Sequence, residues 1–179
     1  HTAGWGIWID SQNGKWAGTT YYGQTPSWFR YLDGNAVADK ISTLTWKPTN
    51  DVVGSYNYYL LTAQKPFSHH FTADSRFRVF KTSGLVNEEV TRAARSCLEN
   101  GNAGMDDVTD FLSVCYYAGN FHPDNVVSTT TELQDTYIRL DAELSTLLKK
   151  IDQLVGRDKT LIYVTSTGYD EVDNSEELS

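Results

Sequence analysis

Three side chains that can bind a cation alternate along one short stretch of the sequence. They are Asn120, His122 and Asp124, and they follow an apolar run of strand length. Amide and carboxylate oxygens suit hard cations such as Ca²⁺ and Mg²⁺, so the stretch is a candidate for a mononuclear cation site. A hard cation takes about six or more oxygen ligands, whereas one loop supplies two or three. We therefore expect an empty site, in which Asn120 and Asp124 cap loop backbone and His122 lies at the surface.

A second possible metal site is the adjacent pair His69 and His70. Neighbouring residues point in different directions, and no third ligand has the spacing to join them. We expect both histidines to have surface or packing roles. Cys97 and Cys115 are too few for a disulfide framework and lack the paired spacing of a zinc site, so we expect both to be small buried side chains.

Aromatic residues are a third candidate, because flat rings can bind sugars. Trp, Tyr and Phe make up 13% of the chain. Several of them lie near its start: Trp5, Trp8, Trp16, Tyr21, Tyr22 and Trp28. In a small domain such residues more commonly form the core and one interface. A glycan-binding surface stays open as an alternative.

A β-hairpin is the clearest local prediction for the first part of the chain. Aromatic and β-branched runs at 5–10 and 15–22 flank Asn13-Gly14, a dipeptide that favours the positive φ angles of a tight turn. Residues 43–80 scatter Asn, Pro, Gly and Ser among aromatic residues. This pattern predicts loops with one or two short elements.

Helices are predicted at two short and two longer segments. One short helix begins at Thr25-Pro26, and the other covers about 36–41. Asn87 is placed to cap a third helix, whose apolar residues keep three- and four-residue spacing until Asn100-Gly101. The longest helix covers about 131–154, where leucines at the same spacing form one apolar stripe.

Two apolar runs flank the longest helix. Residues 111–117 and 160–165 have the length and composition of strands that are covered on both faces. Strand, helix and strand predict one right-handed βαβ unit with parallel strands. The loops after these strands, 118–125 and 166–170, then lie where reactive groups of α/β proteins collect.

Composition and charge limit the classes of partner. The chain has 179 residues, with 40% hydrophobic residues and a formal charge of −8. These values predict a single domain with a core, and no apolar stretch approaches the roughly 20 residues of a transmembrane helix. Nucleic acids and anionic membranes are unexpected partners, because both require a positive surface. We expect the acidic tail at 170–179 to be solvated.

Several long segments of the sequence are similar to segments of one protein family. They lie at 1–22, at 80–95 and within 106–156, where VTDFL at 108–112 and DTYIRLD at 135–141 are the most specific. These segments resemble sequences of the alkaline phosphatase superfamily, and most of all those of its type I phosphodiesterase/nucleotide pyrophosphatase branch from Bacteroidetes. The resemblance implies an α/β fold with an alkaline-phosphatase-like parallel sheet fragment that contains the βαβ unit. It also implies a smaller, cap-like α+β accessory region at about 11–85, next to a core portion at about 86–169.

The same resemblance implies where metal ligands would lie. Such enzymes use two zinc ions with a Thr or Ser nucleophile. The family's Asp-x-x-x-His ligands fall on Asn120 and Asp124, and its Asp-His pair falls on Thr167 and Gly168. All four ligands are changed. The nucleophile and a further histidine ligand correspond to positions outside these 179 residues, so we expect neither a catalytic residue nor a zinc ion in this chain.

Three functions follow as hypotheses. The first is a non-catalytic member of the superfamily, retained for binding or assembly. The second is part of a metal-dependent phosphodiesterase or phosphatase whose nucleophile lies outside this chain. The third is a glycan-binding module of the cell envelope. The resemblance also implies a periplasmic or envelope location, and a sheet completed by a second copy or a partner chain.

Overall fold

The computed structural model describes residues 4–19, 21, 23–49, 66–123 and 130–168. Asp124, the acidic tail at 170–179 and a large part of the predicted loop region lie outside the described residues. The strands are β1 (Ile7–Ile9), β2 (Trp16–Gly18), β3 (Thr45–Trp46) and β4 (His69–His70). The α-helices are α1 (Arg76–Phe80), α2 (Val86–Asn100) and α3 (Thr130–Leu154), with 3-10 turns at Ser27–Tyr31, Ile41–Thr43 and Arg157–Lys159.

The predicted hairpin is present. Strands β1 and β2 pair antiparallel, with Ile7 opposite Gly18 and Ile9 opposite Trp16. The turn is longer than two residues, because the Asp10 side chain accepts hydrogen bonds from Gln12 N at 2.8 Å and from Asn13 Nδ2 at 3.0 Å. Gly14 has a φ of +69°, and a Cβ there would lie 2.3 Å from the Phe77 ring. Both the turn conformation and the approach of α1 therefore require glycine at this position.

A largely aromatic core joins the hairpin to the following segments. Trp46, Phe71 and Phe80 are almost completely buried, and strands β3 and β4 pair antiparallel beside them. Val86 and Phe121 belong to the same cluster, although they come from the predicted core portion rather than the accessory region. The boundary near residue 85 stays a prediction. Residues 27–31 form the helix predicted after Pro26, as a 3-10 turn.

Helices α2 and α3 confirm the two longer helix predictions and pack against each other. Ala94 and Leu98 of α2 meet Leu147 of α3 in a second apolar cluster. At its edge, Lys150 Nζ lies 2.9 Å from Glu99 Oε1. This hydrogen bond, together with the positive charges of Lys150 and Arg95, lowers the pKa of Glu99. The ion pair therefore ties the end of α2 to α3.

The start of α2 differs from the prediction. Asn87 does not cap the helix, because the helix begins one residue earlier and no side chain caps it. Asn87 is instead fully buried within the first turn. Its amide is used for a tertiary contact, described below with the candidate site.

The two predicted parallel strands are not paired in the structure. Residues 111–117 and 160–165 belong to no β-ladder of the described residues. The prediction that both faces are covered also differs from the structure, since Phe111 is 91% exposed and Val164 is 84% exposed. The physical reason is that the described part of the chain offers no neighbouring strand for either segment. The βαβ unit and its parallel sheet thus stay a proposal.

The two cysteines have different surroundings. Cys115 is exposed, contrary to the prediction, because it lies on the uncovered side of the unpaired segment. Cys97 is half-buried. Burial raises the pKa of its thiol, and the negative charge of Asp110 adds a smaller increase.

Thiol alkylation at pH 8 should therefore separate the two side chains. We expect Cys115 to react at least about tenfold faster than Cys97, because the thiolate is the reacting form and burial disfavours it. Mass spectrometry of iodoacetamide-treated protein measures both rates. In urea the rates should become similar, and equal rates in the native protein would contradict this prediction.

In the described residues, no helix is long and apolar enough to cross a membrane.

Candidate functional site

The candidate loop, residues 118–123, begins where the first unpaired segment ends. At this point Asn87 Nδ2 donates to the carbonyl oxygen of Tyr117 at 2.8 Å, and the amide nitrogen of Tyr117 donates to Asn87 Oδ1 at 2.8 Å. The side-chain amide therefore imitates the backbone of a neighbouring strand. Asn87 is fully buried, so this pair of bonds fixes the start of the loop over the first turn of α2.

Phe121 anchors the middle of the loop in the aromatic core. It is 4% exposed, and its ring centroid lies 5.1 Å from that of Trp46 and 4.6 Å from that of His69. The backbone of the residues on either side is also held. The hydroxyl of Tyr117 donates to the carbonyl oxygen of Asn120, and the amide nitrogen of His122 donates to Thr82 Oγ1 at 3.1 Å.

A buried polar network lies beneath this anchor, and it was not predicted from the sequence. Asp135 of α3 is fully buried. Its carboxylate accepts hydrogen bonds from Trp46 Nε1 at 2.5 Å, from the amide nitrogen of Thr49 at 2.6 Å and from Arg139 Nε at 2.7 Å. One turn earlier, Glu132 Oε1 lies 2.7 Å from His69 Nε2. Both contacts connect α3 to the strands that support Phe121.

The histidine pair has the packing and surface roles that were expected. His69 stacks on Phe67 with ring centroids 5.3 Å apart and meets Glu132. His70 is exposed, and its Nδ1 lies 3.2 Å from Thr45 Oγ1.

The predicted metal positions are only partly described. Asn120 is half-buried, and His122, Thr167 and Gly168 are exposed, whereas Asp124 lies outside the described residues. Ser166 Oγ donates to the carbonyl oxygen of Gly168 at 2.6 Å. Within the described residues, no three His, Cys, Asp or Glu side chains form a group that could hold a metal ion.

The chemistry of the donors decides whether two zinc ions fit. Zinc is held by imidazole nitrogen, thiolate or carboxylate. Asn120 offers a neutral amide, Thr167 a neutral hydroxyl and Gly168 no side chain. These residue types do not fit the dinuclear zinc centre that the resemblance implies.

A small cleft lies apart from the candidate loop, between the start of α2 and the middle of α3. Its volume is about 170 Å³, and Glu88, Arg139 and Glu143 are among its lining residues. Ligand pockets are commonly about 300–1,000 Å³. The Arg139 side chain is also occupied, since it bonds Asp135 and the carbonyl oxygen of Lys47. The cleft is therefore too small for a drug-sized molecule.

Comparison with known proteins gives three curated relatives and one solved structure. The relatives are alkaline phosphatase PafA of Elizabethkingia meningoseptica at 24% identity, a calcium-transporting ATPase of Myroides odoratus at 25% and alkaline phosphatase PhoV of Synechococcus elongatus at 23%. The matches cover 89–93% of this chain and 32–33% of the relatives. The crystal structure of wild-type PafA superposes with a TM-score of 0.59 at 22% identity, over 86% of this chain and 32% of that chain.

The chain is therefore related to the alkaline phosphatase superfamily. It shares the fold of the matched part of PafA, and it spans about a third of the length of these relatives. No family model matches the sequence. The relationship thus covers the fold of this part.

We expect Asn87→Ala to loosen the candidate loop, because the substitution removes the two hydrogen bonds between the Asn87 side chain and the backbone of Tyr117. The free energy of unfolding should fall by about 1–3 kcal/mol. Chemical denaturation measures this change, and Glu88→Ala, an exposed neighbour in the same turn, is the matched control. A change no larger than that of the control would contradict the role assigned to Asn87.

Proposed function

We propose that this chain is a non-catalytic member of the alkaline phosphatase superfamily, from the type I phosphodiesterase/nucleotide pyrophosphatase branch, retained for binding or assembly. One observation carries the proposal. The four positions that the family resemblance aligns with zinc ligands hold Asn120, Asp124, Thr167 and Gly168. Only Asp124 has a side chain that commonly binds a metal ion.

The physical argument concerns the charge of the ligand set. Two zinc ions bring a charge of about +4 close together, and carboxylate ligands reduce the repulsion between them. Replacing aspartate by asparagine, threonine or glycine removes this compensation as well as the ligands. A Thr or Ser hydroxyl elsewhere then lacks the metal that lowers its pKa, so phosphoester hydrolysis by this route loses its nucleophile.

The structure is consistent with a loop kept for its shape rather than for metal binding. Phe121, Asn87 and Thr82 hold the candidate loop through apolar contact and backbone hydrogen bonds. These contacts need no metal ion.

A second candidate, a working metal-dependent phosphodiesterase or phosphatase, has one observation in its favour. Two of the curated relatives are named alkaline phosphatases, and this chain spans about a third of their length. A nucleophile supplied by sequence outside the matched third would then act with a ligand set unlike that of the family.

Hydrolysis assays distinguish the two candidates. We expect the product of the full open reading frame, supplied with zinc, to hydrolyse neither p-nitrophenyl phosphate nor bis-p-nitrophenyl phosphate above the rate in buffer. PafA, assayed alongside, is the positive control for the phosphomonoester. Chelator-sensitive turnover by the purified protein would favour the second candidate and end the first.

Glycan binding in the periplasm or envelope is the remaining alternative function for a non-catalytic chain. Trp8 and Tyr21 are exposed. Trp5 packs edge to face on Trp28 and on Phe29, with interplanar angles of 84° and 73°, so these rings do not form one flat platform. This alternative is tested on an array of polysaccharides, with tryptophan fluorescence as the readout. Trp16→Ala and Trp28→Ala are the test variants.

A further inference from the structure

The turn of the first hairpin holds an asparagine followed by a glycine, a pair in which the side chain can react with its own backbone. The sequence contains two such pairs, Asn13-Gly14 and Asn100-Gly101. We propose that Asn13 is a site of spontaneous deamidation, that the hydrogen bonds of the turn promote this reaction, and that its product loosens the turn. The inference is independent of the proposed function, since it involves neither zinc nor phosphoester hydrolysis.

The reaction is an intramolecular acyl transfer. The backbone nitrogen of Gly14, after losing its proton to a solvent base, attacks Cγ of Asn13, and the new bond closes a five-membered succinimide ring. The Cγ–Nδ2 bond breaks, and the side-chain nitrogen takes up a proton and leaves as ammonia. Water then adds to either ring carbonyl and opens the ring, which gives aspartate or isoaspartate. Glycine at the second position favours ring closure, because no Cβ obstructs the approach.

The hydrogen bonds of the Asn13 side chain lie at the atoms that react. The amide nitrogen of Lys15 donates to Asn13 Oδ1 at 2.9 Å. Attack on Cγ places negative charge on this oxygen, and a backbone N–H in that position stabilises an oxyanion. Asn13 is also exposed, so water reaches the ring that forms. The turn therefore activates the side-chain amide toward the backbone nitrogen that follows it.

The second pair, Asn100-Gly101, is an internal comparison with the same two residue types. The nucleophiles are engaged alike, since the nitrogens of Gly14 and Gly101 each donate at 2.8 Å to the carbonyl oxygen four residues earlier. The asparagine side chains differ. Asn100 is the half-buried last residue of α2, its Nδ2 donates to the carbonyl oxygen of Ser96 at 3.2 Å, and its Oδ1 has no donor among the described residues. Only Asn13 is therefore activated.

Conversion of Asn13 to aspartate changes the electrostatics of the turn. At present Asn13 Nδ2 donates to Asp10 Oδ2 at 3.0 Å. In the product this donor is lost, and two carboxylates repel each other at the same contact. The turn also supports the core, because the carbonyl oxygen of Gly14 accepts a hydrogen bond of 3.2 Å from the amide nitrogen of Val37, which is fully buried. We thus expect deamidation to weaken the attachment of the hairpin to the core.

Peptide mass spectrometry after incubation in mildly alkaline buffer tests the site. In the folded chain, we expect Asn13 to deamidate at least about tenfold faster than Asn100, because only Asn13 has an oxyanion donor. In urea both pairs lose their surroundings, and the two rates should become similar. Water enriched in heavy oxygen labels each new carboxylate. Asn13→Gln, which would have to close a larger ring, is the matched control and should stay unmodified at this position.

Two variants test the consequence for the turn. Asn13→Asp is one of the two products, and it should lower the melting temperature by several degrees through the repulsion from Asp10. The double variant Asp10→Asn/Asn13→Asp exchanges the amide and the carboxylate, so that the same kind of hydrogen bond forms with its direction reversed. We expect the double variant to recover most of the loss.

Three results would overturn the inference. The first is a native rate at Asn13 no greater than that at Asn100. The second is a ratio of these two rates that is the same in the folded chain and in urea, since the fold would then not promote the reaction. The third is a melting temperature that Asn13→Asp leaves unchanged, or a loss that the double variant does not recover.

Discussion

Replacing Asp135 with alanine is expected to lower the free energy of unfolding by about 3–5 kcal/mol, because it removes a buried carboxylate that pairs with the half-buried Arg139 and leaves its partners without this acceptor. The carboxylate is fully buried and accepts bonds from Trp46 Nε1, from the amide nitrogen of Thr49 and from Arg139 Nε. Loss of the acceptor leaves the Trp46 indole N–H buried and unpaired. Chemical denaturation followed by tryptophan fluorescence measures the effect.

Asp141→Ala is the matched control for this variant. Asp141 lies on the same helix, α3, but is exposed. Its replacement should change the free energy of unfolding by no more than about 0.5 kcal/mol. Equal effects of the two substitutions would show that the network around Asp135 does not stabilise the fold.

Phe121→Ala is expected to have a comparable effect on stability, about 3–5 kcal/mol, because it removes a buried ring and leaves a cavity beside Trp46 and His69. It should also release the candidate loop, since Phe121 is the side chain that anchors the middle of residues 118–123 in the core. Faster hydrogen exchange in this loop, with α3 unchanged under native conditions, is the expected signature.

Phe111→Ala in the 179-residue chain is the control, since it removes the same atoms from a ring that is 91% exposed. We expect a change of no more than about 0.5 kcal/mol. A loss of stability from Phe111→Ala as large as that from Phe121→Ala would contradict the burial described for both rings.

The elements that the sequence predicted well depend on local patterns. The hairpin at β1 and β2 follows from two β-prone runs around Asn13-Gly14, and the ends of α2 and α3 follow from apolar spacing and from glycine. Such signals lie within a few residues of one another. They can therefore be recognised in a chain that spans about a third of the length of its relatives.

The unpaired segments show where local patterns are insufficient. Residues 111–117 and 160–165 have strand composition, but a strand also needs a neighbour, and pairing partners are distant in sequence or lie outside the described residues. Composition carries no information on whether such a partner is present.

The polar network was hidden for a different reason. On α3 the aromatic residue Tyr137 is 54% exposed, whereas Glu132, Asp135 and Thr136 in the same half of the helix are buried. The spacing of the apolar residues predicts that such polar residues lie on the solvent-exposed face of the helix. Their recurrence at three- and four-residue spacing, continued by Arg139, was the signal that could have revealed a buried polar stripe.

The candidate loop itself was predicted in part. The sequence placed it after the first apolar segment, and the structure places residues 118–123 there, with His122 exposed as expected. The supports from Asn87, Thr82 and Phe121 were not predicted, because each joins residues that are far apart in sequence. The loop position therefore came from local composition, and its anchoring came only from tertiary structure.

Zinc content tests the central proposal most directly. The product of the full open reading frame should be purified without chelator, dialysed against a small excess of zinc and then against metal-free buffer, and analysed by inductively coupled plasma mass spectrometry. We predict much less than one zinc ion per chain, because Asn120, Thr167 and Gly168 provide no ligand that holds zinc firmly. About two zinc ions per chain, the content of a working dinuclear centre, would contradict the account.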